Sequence, residues 1–456
     1  MLSAVVKCPE SFAELRAREF PRLQATRLAY LDYTGSALYG ESQIRAHFDL
    51  LTRQVFGNPH SENAPALAST AVIDDARRRV LEFLDADPTT YAVCFTANAS
   101  AAIKLVAESY PFSAEKGLVL SADNHNSVNG LREYARRAGA RVRYLPLDDE
   151  LRLADPWPRL RAAGASGGGL FAFPAQSNFS GVRHPLELVA QARELGFHVL
   201  LDIAAYAPSR AFSLRECPAD FAALSFYKLF GWPTGLGALI ARRSALANLH
   251  RPWFAGGTVD YASVQLDHHR LRAVPDAFED GTPDFLGIAA LAAGFELIEE
   301  VGMARLSAHI ARLTEQLLHG LVALRHRNGT PVVRLHGPTG MNSRGGAVAF
   351  NVLGDDGLPI GYSDVEARAK DAGVAFRGGC FCNPGAAEAA FGFDPERTKH
   401  CFQELGAEFT IEGFRDCLAT TGERRAVGAV RASLGLANNS DDVCRALDVV
   451  ASFGID

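Results

Sequence analysis

Residues 225–237, Ser-Phe-Tyr-Lys-Leu-Phe-Gly-Trp-Pro-Thr-Gly-Leu-Gly, decide how the rest of the chain is interpreted. They place Lys228 after the apolar run Phe221–Leu224 and before a glycine-rich turn. Loss of water around an amine disfavours its charged form, so we expect a lowered pKa for Lys228 and a neutral amine that can form an imine. A strand-end lysine whose stem packs while its head reaches water explains the same letters.

A carboxylate earlier in the chain favours the chemical interpretation. The run His198–Asp202, His-Val-Leu-Leu-Asp, predicts a buried parallel strand that ends in an acid, at the edge where open α/β sheets bind ligands. Pyridoxal phosphate requires an imine-forming amine and a charge partner for its pyridinium nitrogen. Lys228 and Asp202 together therefore favour a pyridoxal phosphate site.

Composition excludes several other classes of protein. The chain has 456 residues, 48% of them hydrophobic, which is enough for a large enzyme-sized core. A net charge of -6 without a dense basic cluster argues against nucleic-acid binding. No apolar run reaches the roughly 18 to 20 residues that span a bilayer, and the amino terminus lacks a signal-peptide pattern, so we expect a cytoplasmic protein with no membrane partner.

The cysteines fit that expectation. In a reducing compartment, thiols scattered through a large chain are expected to be mostly free. The eight cysteines are Cys8, Cys94, Cys217, Cys380, Cys382, Cys401, Cys417 and Cys444.

Strand and helix patterns alternate from Tyr91 to Ala241, which predicts an α/β fold with a doubly wound, mostly parallel sheet. The later chain, with strand patterns near Val332–Leu335 and Ala347–Leu353, predicts a smaller α+β domain. We expect residues 25–295 to form the large domain, and residues 1–24 and 296–456 to form the small one.

Two turns after predicted strands are candidates for cofactor contacts. Small residues at Thr96–Ser100 leave backbone N–H groups free at a helix start, which suits a phosphate, although an ordinary helix cap explains the same residues. His125 follows the strand that begins at Leu118, where it could stack on a flat ring or handle a proton. A histidine at the start of a helix is the alternative.

A thiol loop, Phe376–Gly385, lies in the predicted small domain. Its Cys380 and Cys382 are set among glycines, so at least one of them is expected on a flexible, accessible loop near Arg377, where a thiolate is favoured. Two inert thiols are the alternative. A single C-x-C without a second ligand pair makes a zinc site the weaker interpretation, and we expect no metal.

These motifs resemble the pyridoxal-phosphate cysteine desulfurases of the class V aminotransferase group, and most of all the amino-terminal domain of molybdenum cofactor sulfurases. The resemblance extends from the run Tyr30–Gly35 to the run Gly428–Gly435. It implies fold type I of the pyridoxal-phosphate transferases, with a seven-stranded sheet. It also implies a homodimer that converts L-cysteine to L-alanine and passes the sulfur to an active-site cysteine as a persulfide, for an unidentified acceptor.

The same resemblance implies roles for individual residues. Lys228 forms the imine, Asp202 pairs with the pyridine nitrogen, and His125 stacks on the ring and takes part in catalysis. The other implied positions are Ala99, Ser100 and Ser225 for the phosphate, with Thr282 from the second subunit; Asn178 for the phenolic oxygen or the substrate; Arg431 and Arg377 for the substrate carboxylate; and Cys382 for the persulfide, with Cys380 as its neighbour.

Three departures from the group leave other functions open. Tyr227 stands where many desulfurases have histidine, and Ala205 stands where a glutamine often binds the phenolic oxygen. The chain ends at Asp456, so we expect no molybdenum-cofactor-binding domain. The alternatives are a pyridoxal-phosphate lyase, epimerase or aminotransferase acting on another amino acid in secondary metabolism, and a non-catalytic scaffold or sulfur-carrier binding module of the same fold.

Overall fold

A computed structural model describes residues 10–165, 167–419 and 426–454. The strands are β1 (Ala29–Tyr30), β2 (Tyr91–Thr96), β3 (Gly117–Ser121), β4 (Val142–Leu145), β5 (Gly169–Pro174), β6 (Phe197–Asp202), β7 (Phe221–Ser225), β8 (Gly237–Arg242), β9 (Val259–Ala262), β10 (His269–Leu271), β11 (Val333–His336), β12 (Ala347–Val352), β13 (Val374–Ala375), β14 (Arg377–Gly379) and β15 (Ala429–Ser433).

The helices surround these strands. They are α1 (Phe12–Glu19), α2 (Pro21–Ala25), α3 (Glu41–Arg53), α4 (Ala64–Phe83), α5 (Ala99–Ser109), α6 (Asn126–Asn129), α7 (Leu131–Arg137), α8 (Pro156–Gly164), α9 (Glu187–Glu194), α10 (Phe226–Phe230), α11 (Arg243–Leu246), α12 (Phe285–Ala289), α13 (Leu291–Val301), α14 (Met303–Ala323), α15 (Tyr362–Asp371), α16 (Pro384–Phe391), α17 (Pro395–Leu405), α18 (Ile411–Leu418) and α19 (Ser440–Ala451).

The large sheet has seven strands in the order β2-β8-β7-β6-β5-β3-β4. Strands β4, β3, β5, β6 and β7 run parallel to one another, and β8 is antiparallel to both β7 and β2. Its central strands are continuous apolar runs because apolar clusters cover both faces of the sheet. The predicted doubly wound, mostly parallel sheet is confirmed, and its carboxyl edge is where the polar side chains of β6 and β7 emerge.

A second sheet carries the later part of the chain. Strands β11-β12-β15-β14 are antiparallel throughout and pack with α14 and α19 around a separate apolar cluster. The short strand β1 pairs in parallel with β13 in a separate two-stranded sheet, and Ala29 packs in the same apolar cluster as the second sheet. The division into domains at residues 25 and 295 stays our proposal. Within it, the chain passes from the smaller domain to the large sheet after β1.

One pair of cysteines departs from the expected free thiols. Cys401 of α17 and Cys417 of α18 form a disulfide that closes a small aromatic cluster. In the part of the chain that the structure describes, Cys94, Cys217, Cys380, Cys382 and Cys444 are free, so the thiols are mostly reduced as predicted. Cys8 lies outside the described residues.

None of the helices within residues 10–165, 167–419 and 426–454 combines the length and apolar character needed to cross a membrane.

Candidate active site

A polar cavity lies at the carboxyl edge of the large sheet. The residues that line it come from the ends of β5, β6 and β7 and from the starts of α5 and α6. They are Asn98, Ala99, Ser100, Ile103, His125, Ser127, Pro174, Gln176, Asn178, Asp202, Ala204, Ala205, Ser225, Tyr227 and Lys228. The residues predicted to bind the cofactor therefore lie around one cavity, except for Thr282.

The acid ends one strand, and the lysine lies in the short helix that follows the adjacent parallel strand. Asp202 is the last residue of β6 and is paired in register with Ala223 of β7, and Lys228 lies five residues further on, in the short helix α10. Burial lowers the pKa of Lys228, and the negative charge of Asp202 opposes that shift. The sequence predicted the lowered pKa, but it placed the lysine at a strand end instead of on the helical turn that follows the strand.

Backbone contacts orient the carboxylate of Asp202. The side chain is 9% exposed, and its Oδ1 accepts a hydrogen bond from the backbone N–H of Ala204 at 2.9 Å. Because this bond uses one oxygen, the carboxylate is fixed in direction and keeps acceptor capacity for a group in the cavity.

His125 is the cap of α6 and also part of the cavity wall. Its Nδ1 accepts the backbone N–H of Ser127 at 3.1 Å, so the proton of the neutral ring is on Nε2. Burial lowers the pKa of His125, with the charge of Asp202 acting in the opposite direction. The ring is therefore neutral at pH 7. The residue starts a helix, which was one interpretation from the sequence, and it also lines the cavity, so its contact with a flat ring stays a prediction.

The start of α5 forms the anion-binding end of the cavity. Asn98 caps the helix through Ala101 N–H at 3.0 Å, and the N–H of Ala99 donates to the Ser225 hydroxyl at 2.8 Å. Ser100 and Ser127 are joined through their hydroxyl groups. Gly237 lies so close to the backbone of Asn98 that an added Cβ would be 2.5 Å from the Asn98 carbonyl carbon. Clustered hydroxyl and N–H groups at the positive end of an eleven-residue helix suit a phosphate.

The thiol loop is fixed against this cavity. The side-chain amide of Asn178 donates to the carbonyl of Phe381 at 2.7 Å, and the N–H of Asn126 donates to the carbonyl of Cys382 at 2.7 Å. Cys382 is exposed, as predicted for at least one of the two thiols. Because of these hydrogen bonds, the loop is held more firmly than its glycine-rich sequence predicts.

The two thiols differ in environment. Cys380 is half-buried and donates from its Sγ to the Val427 carbonyl at 3.0 Å. Burial raises the pKa of Cys380 to about 11, so this thiol stays protonated at pH 7. The residues around the two cysteines did not separate them and only the resemblance favoured Cys382, whereas in the structure the two thiols differ in burial.

Both predicted carboxylate-binding arginines contact an acid to which the sequence gave no role. Arg431 of β15 and Arg377 of β14 face each other in register. Asp32 accepts from Arg431 Nη2 at 2.9 Å and from Arg377 Nε at 2.9 Å. Arg431 is buried, with its Nη1 bonded to the Asn178 carbonyl at 2.9 Å, and burial lowers its pKa. The hydrogen bond to Asp32 raises the pKa of Arg377.

Two further positions complete the comparison with the sequence. Thr282 is exposed and does not line the cavity of its own chain, so its contribution from a second subunit stays a prediction. Gln176, which the sequence left without a role, lines the cavity beside Ala205 and donates to its carbonyl at 2.8 Å.

Among the residues that the structure describes, no three His, Cys, Asp or Glu side chains lie close enough to share one metal ion.

Comparison with known proteins gives the class first. The family model described as aminotransferase class V matches residues 29–445, so the chain belongs to the class V aminotransferase family. Among solved structures, a cysteine desulfurase from Thermococcus onnurineus NA1 has a TM-score of 0.80 at 24% identity, covering 98% of this chain and 99% of that one. The Escherichia coli cysteine desulfurase CsdA has a TM-score of 0.75 at 23% identity, covering 98% and 99%. These similarities confirm fold type I.

The more similar sequences are molybdenum cofactor sulfurases. The protein of that name from Solanum lycopersicum is 35% identical over 477 residues, which covers 97% of this chain and 57% of that protein. The one from Homo sapiens is 35% identical over 462 residues, covering 95% and 50%. The chain thus spans about half the length of the curated relatives that it matches.

Proposed function

We propose that this protein is a pyridoxal-phosphate-dependent cysteine desulfurase, which converts L-cysteine to L-alanine and keeps the sulfur as a persulfide on Cys382. The observation that carries the proposal is the cavity that brings Lys228, Asp202 and His125 to the start of α5. The hydrogen-bonded thiol loop and the buried Arg431 lie next to it. The family and the molybdenum cofactor sulfurase relatives support the same assignment.

The side chains present fit pyridoxal phosphate. A deprotonation-prone lysine suits the aldehyde, and the free acceptor capacity of Asp202 suits a protonated pyridine nitrogen. A neutral His125 can stack on an aromatic ring, and Ala99, Ser100 and Ser225 can hold the phosphate. When bound, this cofactor withdraws electrons from the substrate Cα and so acidifies the Cα proton.

Each protein group then has a task in the proposed reaction. Arg431, with Arg377, binds the carboxylate of cysteine, and Lys228 takes the proton from Cα and returns one to the alanine product. The Cys382 thiolate attacks the sulfur of the substrate, so a C–S bond breaks and an S–S bond forms. Cysteine and one protein thiol give alanine and one protein persulfide, which needs no external oxidant.

The decisive experiment measures alanine, persulfide and cofactor absorbance together. Lys228→Ala should lose the imine absorbance band, whereas Cys382→Ala should keep it and lose persulfide and alanine formation. Cys444→Ala removes another exposed thiol and is the matched control. Full cysteine turnover by Cys382→Ala would refute the thiol's role. Cofactor binding without alanine from cysteine would favour the lyase, epimerase or aminotransferase alternative, and absence of cofactor binding would favour a scaffold.

We further propose a cytoplasmic homodimer in which Thr282 of one subunit reaches the phosphate in the other and the persulfide passes to a separate acceptor. Five free thiols among the described residues support the compartment, and the Cys401–Cys417 disulfide argues against it. A mass measurement on non-reduced protein from cells would show which state prevails. Sedimentation of the wild-type protein tests whether it is a dimer. The cofactor affinity of Thr282→Ala, which should be lower than that of wild type, tests whether Thr282 contacts the phosphate.

A further inference from the structure

Asn383, the residue after Cys382, uses its whole side-chain amide in hydrogen bonds. The residue is fully buried, and its Nδ2 donates to the Asp123 carbonyl at 2.6 Å and to Asn178 Oδ1 at 2.9 Å. Its Oδ1 accepts the N–H of Ala386 at 3.1 Å and so caps α16. One amide therefore joins the end of β3, the wall of the cavity and the first turn of α16.

The backbone before Asn383 has a conformation that needs such support. Phe381 and Cys382 have φ values of 56° and 55°, in the left-handed region that residues other than glycine rarely adopt. Two such residues in succession persist only where the surroundings determine their conformation. The supports are the bonds to the carbonyls of Phe381 and Cys382, from Asn178 and Asn126, and the amide of Asn383.

We propose that Asn383 is a positioning residue that holds the Cys382 thiol at the cavity through Asn178. Asn178 faces the cavity and has its amide oxygen bonded to Asn383 and its amide nitrogen bonded to Phe381. Loss of the Asn383 donors frees the oxygen of Asn178 and lets the two strained residues relax toward ordinary backbone. The thiol then leaves the position from which it reaches a substrate sulfur. The catalytic part of this inference rests on the proposed function, whereas the structural part does not.

A cap for α16 is the simpler role, and substitution by aspartate separates the two. Asn383→Asp keeps an acceptor for the Ala386 N–H, because aspartate caps helices as well as asparagine does, but it removes both donors. Asn383→Ser keeps a cap without adding charge and serves as a second variant. Asn63→Asp is the matched control, since Asn63 caps α4 through the Ala66 N–H and its own amide bonds only an exposed Ser61 hydroxyl.

The first measurement is amide hydrogen exchange of the full chain loaded with pyridoxal phosphate. Asn383→Asp and Asn383→Ser should raise exchange at least tenfold at the amides of Asn126 and Asn383, which bond the thiol loop. If Asn383 acts only as a cap, both variants keep that cap and exchange at Asn126 stays as in wild type, and that result would overturn the proposal. Asn63→Asp should match wild type at these amides.

The second measurement compares two substrates. β-Chloroalanine needs only removal of the Cα proton, after which chloride leaves with its electron pair and water gives pyruvate and ammonia, so no thiol takes part. Cysteine needs Cys382. Asn383→Asp and Asn383→Ser should lower kcat for alanine formation from cysteine at least tenfold. The KM for cysteine and the rate of pyruvate formation from β-chloroalanine should both stay within twofold of wild type.

An equal loss on both substrates, or full cysteine turnover, would overturn the positioning role. If wild type itself forms no alanine from cysteine, the proposed function fails, and the exchange measurement still decides whether Asn383 holds the thiol loop.

Discussion

Asp32→Asn tests whether one carboxylate balances the two arginines of the site. The two arginine contacts differ in burial. The Arg431 side chain is 2% exposed and the Arg377 side chain is 48% exposed, with Asp32 between them at 10%. Removal of the acid therefore leaves the buried cation of Arg431 without a carboxylate. The cation of Arg377 is solvated and is little affected.

The expected loss of stability follows from that difference. Breaking a buried ion pair by removing one partner costs about 3–5 kcal/mol, and an exposed pair contributes about 0–1 kcal/mol. Asparagine still offers Arg431 an oxygen acceptor, so we expect the lower end, about 3 kcal/mol in the free energy of unfolding. The assay is urea unfolding of wild type and variant, with and without L-alanine, whose carboxylate should replace the missing charge and stabilise the variant more than wild type.

The matched control is Asp85→Asn. Asp85 pairs with Arg215 at the surface, where the side chains are 47% and 72% exposed, so the urea midpoint should move far less than in Asp32→Asn. If Asp32→Asn unfolds at the same urea concentration as Asp85→Asn, Asp32 does not balance Arg431 and the reasoning is refuted.

Three further predictions concern titration and close packing. Because burial raises the pKa of Cys380 to about 11, iodoacetamide at pH 8 should label Cys382 well before Cys380, whose labelling should rise about tenfold per pH unit toward pH 11; equal labelling at pH 8 would contradict this. Burial lowers the pKa of His125, so the unfolded chain binds its proton first and the free energy of unfolding should fall as the pH drops through about 6.5; a His125→Asn variant should show a flatter dependence of the urea midpoint. Gly237→Ala should weaken cofactor binding about tenfold in an absorbance titration, because its Cβ would meet the backbone at the start of α5 at 2.5 Å, whereas Gly340→Ala, with open space around it, should bind as wild type does.

Local sequence was enough to predict the large sheet and the convergence of Lys228 and Asp202 at its carboxyl edge. Buried parallel strands are continuous apolar runs, and residues that follow such runs meet at one edge of the sheet. Lys228 and Asp202 each lie within a few residues of a strand end, so the local sequence is enough to predict that they meet. Helix α10 escaped prediction because its five residues are too few for a periodic pattern.

The thiol and carboxylate side depended on contacts between distant parts of the chain. Asp32 meets Arg377 and Arg431 across 345 and 399 residues, and no local pattern marks such a pair. The motif Tyr30–Gly35 showed that the segment matters but not what its acid does. The pairing of Cys401 with Cys417 was missed for a different reason: their helices follow each other in the chain, but no local pattern shows that α17 and α18 pack with these two thiols facing each other.

The placement of Asp32 at the start of the chain has a consequence for synthesis on the ribosome. Residues 91–242 complete the seven-stranded sheet, with Lys228 and Asp202, long before Arg431 is translated. Asp32, which follows β1, therefore has no arginine partner at that stage, and the strand β13 that pairs with β1 is also synthesised late. If the proposed function holds, the nascent protein can form the cofactor side of the cavity before the arginine that would bind the substrate carboxylate has been made.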